Sequence, residues 1–314
     1  MVSSSTSLTI LEKRSLKIAR FGNVIMAIAG ILTAWMANAD ALLVDGLYSG
    51  INFLSSLVAA RVGESVMRPW DKTRPFGYYA DEAIYITFRS VILLGILAFA
   101  VFSAITKIIA YASGHEFSEI VLGLIVIYSV GMTVICGGLY YVHRYYWLKT
   151  GKRSDILKTE QQSALIDGVI SAAVGLAFGL APLLKNTPLH FILPVIDSVI
   201  VLVLVALIIN QPIRSFLNAL AEIAGESSSP RVIASIHEAL SEAIPEAMDY
   251  TLIDVASSKL GRFHVVMIYL NVHHPIQGEL VDELRLSIKS ACEKRIGLVE
   301  VEVILTATPR LLAR

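Results

Sequence analysis

The stretch LLVDGLYSGINFLSSLVA (residues 42–59) decides the fold of this chain. Most of its residues are apolar, yet it carries a carboxylate at Asp45 and a hydroxyl at Ser49, four residues later. A helix needs roughly 20 mostly apolar residues to cross the hydrocarbon core of a bilayer. The stretch therefore predicts a transmembrane helix with polar groups inside it, and such groups usually mark a binding site or a transport pathway.

The composition of the chain agrees with a membrane protein. Hydrophobic residues make up 55% of the 314 residues, charged residues only 17%, and the mean hydropathy is +0.66. The formal net charge is zero, which gives no support to a nucleic-acid partner. Cys136 and Cys292 lie in segments of different character, so neither a disulfide nor a cysteine metal site is predicted.

Six segments are long and apolar enough to span a membrane: 15–37, 40–63, 83–110, 118–142, 157–184 and 189–212. Each is predicted to be a helix, because irregular backbone cannot face lipid. The first lacks a small-residue cleavage site, so we expect a retained helix rather than a signal peptide. Lys and Arg are concentrated before the first segment and in the second and fourth connections. This predicts cytoplasmic termini, with residues 1–14 as a cytoplasmic segment and 15–212 as the transmembrane domain.

After an expected linker at 213–227, the pattern changes to that of a small soluble domain. Ser229 and Pro230 have the residue types preferred at a helix N-cap and at the first helical position. The segments that follow predict the order α-β-β-α-β, with a break near Gly261 between the first two strands. We therefore predict a cytoplasmic, ferredoxin-like α+β domain at 228–314. Dimerisation is expected because the domain is small.

Polar residues within the spans predict where function lies. Residues four apart share a helix face, so Asp45 projects together with Ser49, and Ser163 together with Asp167. Two helices facing each other in this way would bring carboxylates and hydroxyls to one point. Such oxygen donors can replace the hydration shell of a divalent cation.

Each of these residues also has a structural interpretation. A membrane serine often bonds the carbonyl of its own helix or joins two helices, and a buried aspartate can be a neutral, hydrogen-bonded carboxyl. Asp197, in the sixth span, could support a site or orient a helix. Arg89, near the start of the third span, is expected to extend to the cytoplasmic surface.

The ordered set of segments resembles the cation diffusion facilitators, from about residue 12 to residue 307. It comprises six spans, the helix-2 stretch 42–59, RPFGYYADEA (74–83), SALIDGVISAAVGL (163–176), an Asp in the sixth span and the α-β-β-α-β domain. The resemblance implies a homodimeric metal-ion/proton antiporter of a bacterial inner (plasma) membrane. It also implies that the divalent cation is the transported substrate and that no cofactor is bound.

The resemblance implies a metal site of two residue pairs, one on helix 2 and one on helix 5. These positions are occupied here by Asp45, Ser49, Ser163 and Asp167. The two aspartates match the family. Ser49 stands where the family usually has Asp, and Ser163 stands where it usually has His or Asp. Loss of the imidazole donor shifts the expected ion from zinc toward manganese, iron or magnesium.

A second family site, in the loop after helix 2, is not expected here. Arg74 and Tyr78 stand where many members of the family have metal-binding histidines.

The sequence therefore predicts a secondary transporter that exports a divalent cation (Zn, Mn, Fe or similar) across a lipid bilayer in exchange for protons. The two serines leave a second interpretation open, a non-transporting dimeric membrane scaffold or partner subunit of the same fold. An enzyme is not predicted, since the chain has no nucleophile–base pair, no zinc-protease motif and no phosphate-binding loop.

Overall fold

The computed structural model describes residues 2–66, 68, 70–75, 77–115, 121–149, 155–245 and 249–308. It divides into two compact units. The first consists of Met1–Val58 and Arg89–Ile213, and the second consists of Ala59–Phe88 and Arg214–Arg314.

The first unit is built from long apolar helices. In chain order the helices up to the end of the sixth span are α1 Val2–Ala37, α2 Asp40–Val66, α3 Ala80–Ala112, α4 Leu122–Lys149, α5 Asp155–Leu180, α6 Ile196–Ile208 and α7 Asn210–Ile223. The end of α2, the start of α3 and most of α7 belong to the second unit. Six stretches in the described residues are long and apolar enough to cross a membrane, which confirms the predicted number of spans. Residues 118–120, the predicted start of the fourth span, lie outside the described residues. Large apolar side chains on these helices, such as Trp35, Phe102 and Ile127, are exposed, as expected for a lipid-facing surface.

The sixth span departs from the single regular helix predicted over 189–212. Its α-helical part begins only at Ile196, after a 3₁₀ segment at Pro188–Val195 that contains Pro194. Proline has no backbone N–H and clashes with the preceding turn, so two prolines in this segment disfavour a regular α-helix. A turn at Ile209 separates α6 from α7 just before Pro212. Because α7 continues to Ile223, most of the segment expected as a linker is helical.

The second unit contains the predicted α-β-β-α-β arrangement. Its elements are α8 Pro230–Ala243, β1 Tyr250–Leu260, β2 Phe263–Val272, α9 Gly278–Ile296 and β3 Val299–Leu305. The sheet order is β1-β2-β3, with β1 antiparallel and β3 parallel to β2. Ser229 is the N-cap of α8, as predicted. Gly261 forms the β1–β2 turn with φ of 60°, which favours glycine.

The core of the second unit lies between the sheet and the two helices. Alternate residues of β2, namely Val266, Ile268 and Leu270, are fully buried, as expected when one face of a strand covers a core. They pack in one cluster with α8, α9 and β3. Two buried serines in this unit are paired, because the Ser228 and Ser257 hydroxyls lie 2.9 Å apart.

The ionisable groups beside this core fit a structural role. His264 Nδ1 lies 3.4 Å from the Ser228 hydroxyl, and burial lowers the pKa of His264. Burial also raises the pKa of Cys292 to about 11, which leaves its thiol protonated and unreactive at neutral pH.

Candidate functional site

Asp45 lies on α2 just before the point at which this helix crosses α1. A Cβ atom added to Gly30 would lie 2.6 Å from the Cα of Gly46, and one added to Gly46 would lie 2.8 Å from the backbone nitrogen of Ile31. Only glycine therefore allows this close approach of the two backbones. The crossing holds α2 against α1 and so helps to set the direction in which the Asp45 carboxylate points.

The Asp45 carboxylate accepts a hydrogen bond from a neighbouring helix. The hydroxyl of Tyr128, on α4, donates to Asp45 Oδ2 at 2.7 Å. Tyr128 is only 9% exposed, so this hydrogen bond lies inside the bundle. Sequence reasoning missed Tyr128, because a single tyrosine in a spanning helix gives no indication of such a role.

The second predicted carboxylate, Asp167 on α5, is half-buried and interacts electrostatically with Asp45. Cys136 of α4 lies within electrostatic range of both carboxylates. A Cβ atom on Gly168 would lie 3.1 Å from the Cβ of Cys136, so α4 and α5 pack closely at this level. The aspartates of α2 and α5 thus lie in one electrostatic neighbourhood beside α4.

The serines separate into two groups. Ser49 is buried, with 7% of its surface exposed, whereas Ser163 is exposed on α5. The buried serine of α5 is Ser171, also 7% exposed and four residues after Asp167. The same four-residue rule, applied toward the C-terminus from Asp167, would have indicated Ser171.

No group of three His, Cys, Asp or Glu side chains converges among the described residues to hold a metal ion. A cation bound beside Asp45 and Asp167 would therefore need hydroxyl oxygens or water to complete its coordination. Such an oxygen-only donor set suits hard cations.

Arg89 does not extend to the aqueous surface as expected. Its side chain is half-buried, and Nη2 donates to Asn52 Oδ1 on α2 at 2.9 Å. The guanidinium also interacts electrostatically with Glu160, near the start of α5. These contacts connect α2, α3 and α5, because a buried guanidinium is stabilised by acceptors and opposite charge on neighbouring helices.

Asp197 orients a helix, which is one of the two roles that the sequence left open. It is 3% exposed, and its carboxylate accepts the backbone N–H groups of Asp40 at 2.7 Å and Ala41 at 3.0 Å. Asp197 of α6 therefore caps the first turn of α2, whose N–H groups have no partner within their own helix. The Asp40 carboxylate in turn contacts Lys107 Nζ at 2.8 Å and the Ser103 hydroxyl at 3.1 Å, both on α3.

In the loop after α2, Arg74 and Tyr78 both form contacts within the neighbouring sequence. Arg74 forms an ion pair with Asp81 at 2.9 Å, and the Tyr78 hydroxyl donates to Asp71 at 2.7 Å. Hydrogen bonds from Thr73 and Tyr78 hold the pKa of Asp71 well below its usual range. Both positions where the family often has histidine thus take part in a hydrogen-bonded loop.

Comparison with protein families gives a match that covers more than half of the chain. A model of the cation efflux transmembrane domain matches residues 16–224. The matched segment contains the six spans, the Asp45–Asp167 pair and the Asp197 cap. A comparison with curated proteins finds no match. The family model matches all the membrane-spanning helices, and the chain belongs to the cation efflux family of multi-pass membrane proteins, which transport metal cations rather than catalyse reactions.

Proposed function

We propose that this protein is a secondary transporter that exports a divalent metal cation from the cytoplasm in exchange for protons. The observation that carries the proposal is the Asp45 carboxylate of α2, which Tyr128 bonds inside a bundle of spanning helices, with the Asp167 carboxylate of α5 within electrostatic range. Two carboxylates in this environment repel each other and are costly to ionise. A doubly charged cation between them would neutralise both charges.

Protons are the natural counter-substrate of such a pair. Metal binding requires deprotonated carboxylates, so protons and the cation compete for the same oxygens. Movement of the spanning helices would then expose the site alternately to the two sides of the membrane. A cation leaves on one side, and protons take its place for the return step.

Asp45 and Asp167 are the principal ligands in this proposal, and buried Ser49 is a candidate third. The sequence predicts Ser163 as a ligand together with Asp167. Its side chain is exposed in this structure, so we do not include it among the principal ligands. Cytoplasmic termini, a bacterial inner membrane and a homodimer held by residues 228–314 complete the proposal. The distribution of Lys and Arg supports the orientation.

The test is metal-driven proton flux in proteoliposomes that contain the purified full-length protein and a trapped pH indicator. Asp45→Asn and Asp167→Asn should each reduce the flux to the background of empty liposomes, because the remaining charge cannot neutralise the cation. Asp282→Asn is the matched control, since Asp282 is an exposed aspartate of the second unit. Flux at the wild-type rate in both site variants would reject the assignment.

A second candidate, a non-transporting scaffold of the same fold, is favoured by the two serines and by the absence of a three-residue metal cluster among the described residues. It predicts no saturable metal binding to the wild-type protein by calorimetry. It also predicts that the doubly neutralised variant behaves as the wild type does.

A further inference from the structure

A small cavity lies beside Asp45 in the interior of the first unit. Its volume is about 20 Å³, which is room for about one water-sized group. The polar residues that line it are Asp45, Tyr128, Ser129 and Ser171, and the rest of its wall is apolar. A space of this size excludes a hydrated ion but can hold one whose hydration shell has been removed.

The serine hydroxyls at this cavity have no protein partner. Ser129 is 2% exposed and Ser171 is 7% exposed, and neither hydroxyl makes a hydrogen bond within the described part of the chain. The hydroxyls of Thr87 and Thr133 bond the carbonyl four residues earlier, at 2.8 and 2.7 Å. Buried Ser90 and Ser198 also make no hydrogen bond within the described residues, but they do not line this cavity. Buried hydroxyls are normally satisfied, so two unsatisfied ones at the same cavity indicate that a ligand completes the site.

The positions of these serines agree with the placement of the carboxylates. Ser171 lies four residues after Asp167 and so shares its helix face, while Ser129 lines the same cavity as Tyr128, the donor to Asp45. Gly175 brings α5 close to Ser129, because a Cβ atom there would lie 2.7 Å from the Cβ of Ser129. The cavity therefore collects oxygens from α2, α4 and α5.

We propose that the transported cation, once dehydrated, is held in this cavity by Asp45, Ser129 and Ser171, with Asp167 supplying the second negative charge. This inference rests on the proposed transport function. It assigns the α5 hydroxyl ligand to buried Ser171, about two helical turns after exposed Ser163, and adds Ser129 of α4 as a ligand. The residues that line the cavity offer only oxygen donors, so the substrate is a hard divalent cation, for which Mn²⁺ is the probe.

The first experiment measures Mn²⁺ binding to the detergent-solubilised full-length protein by calorimetry. Ser129→Ala and Ser171→Ala should each weaken binding about tenfold, as expected for the loss of a group that supports a metal site. Ser56→Ala is the control, because its hydroxyl bonds Phe53 O within α2 at 2.7 Å and is not part of the cavity. Ser163→Ala separates the two ligand sets. A tenfold loss there, with normal binding in the Ser129 and Ser171 variants, would overturn the proposal.

Thermal unfolding distinguishes a ligand from a structural serine. If Ser129 and Ser171 bind the cation, their alanine variants should have the wild-type melting temperature without metal. Added Mn²⁺ should then raise their melting temperature less than it raises that of the wild type. Structural serines would instead lower the melting temperature of the metal-free protein and leave the metal-induced rise intact, which would refute the proposal.

A gain of affinity provides a second, independent test. Ser171→Cys places a thiolate at the cavity and should raise the affinity for Zn²⁺ relative to Mn²⁺ about tenfold, because thiolates favour softer ions. Ser163→Cys should leave the ratio unchanged, and the reverse result would overturn the proposal.

Asp45→Asn distinguishes a failure of the cavity assignment from a failure of the proposed transport site. If it abolishes Mn²⁺ binding while the serine variants bind normally, only the cavity assignment fails. If it also binds normally, the transport site fails as well.

Discussion

Buried hydroxyls are paired in the second unit and only partly paired in the first, where the Ser15 hydroxyl lies 2.8 Å from His143 Nδ1. In the second unit Ser228 and Ser257 bond each other at 2.9 Å, and the surrounding cluster is apolar. In the first unit Ser129 and Ser171 face a cavity without a hydrogen bond in the described residues. A satisfied pair serves the fold, whereas a buried hydroxyl without a protein partner costs free energy unless a ligand or water binds it.

Charged groups also differ between the units. The second unit pairs charges in partly exposed positions, as in Lys289–Glu300 at 2.7 Å, where water screens them and each pair contributes little. The first unit has a similar pair, Lys107–Asp40 at 2.8 Å. The first unit holds Asp45 and Asp167 inside a bundle that faces lipid. The second unit is therefore organised around an apolar core, while the first keeps acidic groups within its spanning helices, where ionisation is costly.

The largest effect on stability is expected in the apolar core of the second unit. Ile288→Ala removes a fully buried side chain of α9 and should lower the local free energy of unfolding by about 2–5 kcal/mol. Hydrogen–deuterium exchange of α9 and β3 in the full-length protein measures this change. Leu286→Ala, at a site that is 60% exposed, is the control. Equal effects of the two substitutions would show that packing does not dominate this unit.

A smaller effect is expected when one of the two hydrogen-bonded serines of the second unit is removed. Ser228→Ala leaves the buried Ser257 hydroxyl without its partner, so β1 should lose about 1–3 kcal/mol of protection against hydrogen exchange. Ser241→Ala, on the exposed surface of α8, is expected to have little effect. Ser129→Ala in the first unit should cost nothing in the metal-free protein. A loss at Ser129 as large as at Ser228 would remove the distinction between the two units.

The smallest of these effects concerns the cap of α2. Asp197→Ala removes the acceptor of the Asp40 and Ala41 N–H groups and should destabilise the first turn of α2 by about 0.5–2 kcal/mol. Faster hydrogen exchange of residues 40–44 would reveal this loss. Lys107→Met breaks only a partly exposed ion pair with Asp40 and should cost less. If the Lys107 variant exchanges faster than the Asp197 variant, the cap is not the main restraint.

Much of the fold follows from local pattern. The six apolar stretches and the α-β-β-α-β order were both readable, because length, hydropathy and period-2 alternation are properties of neighbouring residues. The departures lie where proline interrupts the pattern, as at Pro194 before α6 and Pro212 at the start of α7.

The candidate site was only partly readable. Asp45 and Asp167 stood out because a carboxylate in a spanning helix is rare and costly. Serine carries no such signal, since it is common at helix contacts in membranes. The four-residue rule applies in both directions from Asp167, and it could not distinguish exposed Ser163 from buried Ser171.

By itself, the sequence determined that this chain spans a membrane six times, carries acidic groups within those spans and ends in a small α+β domain. Only the tertiary structure decided that Tyr128 bonds Asp45, that Asp197 caps α2 and that Ser171 lines the cavity. The physical reason is that lipid is as apolar as a protein core, so hydropathy does not define which side of a membrane helix faces inward. That side is set by close contacts such as Gly30 against Gly46, which depend on residues from separate helices.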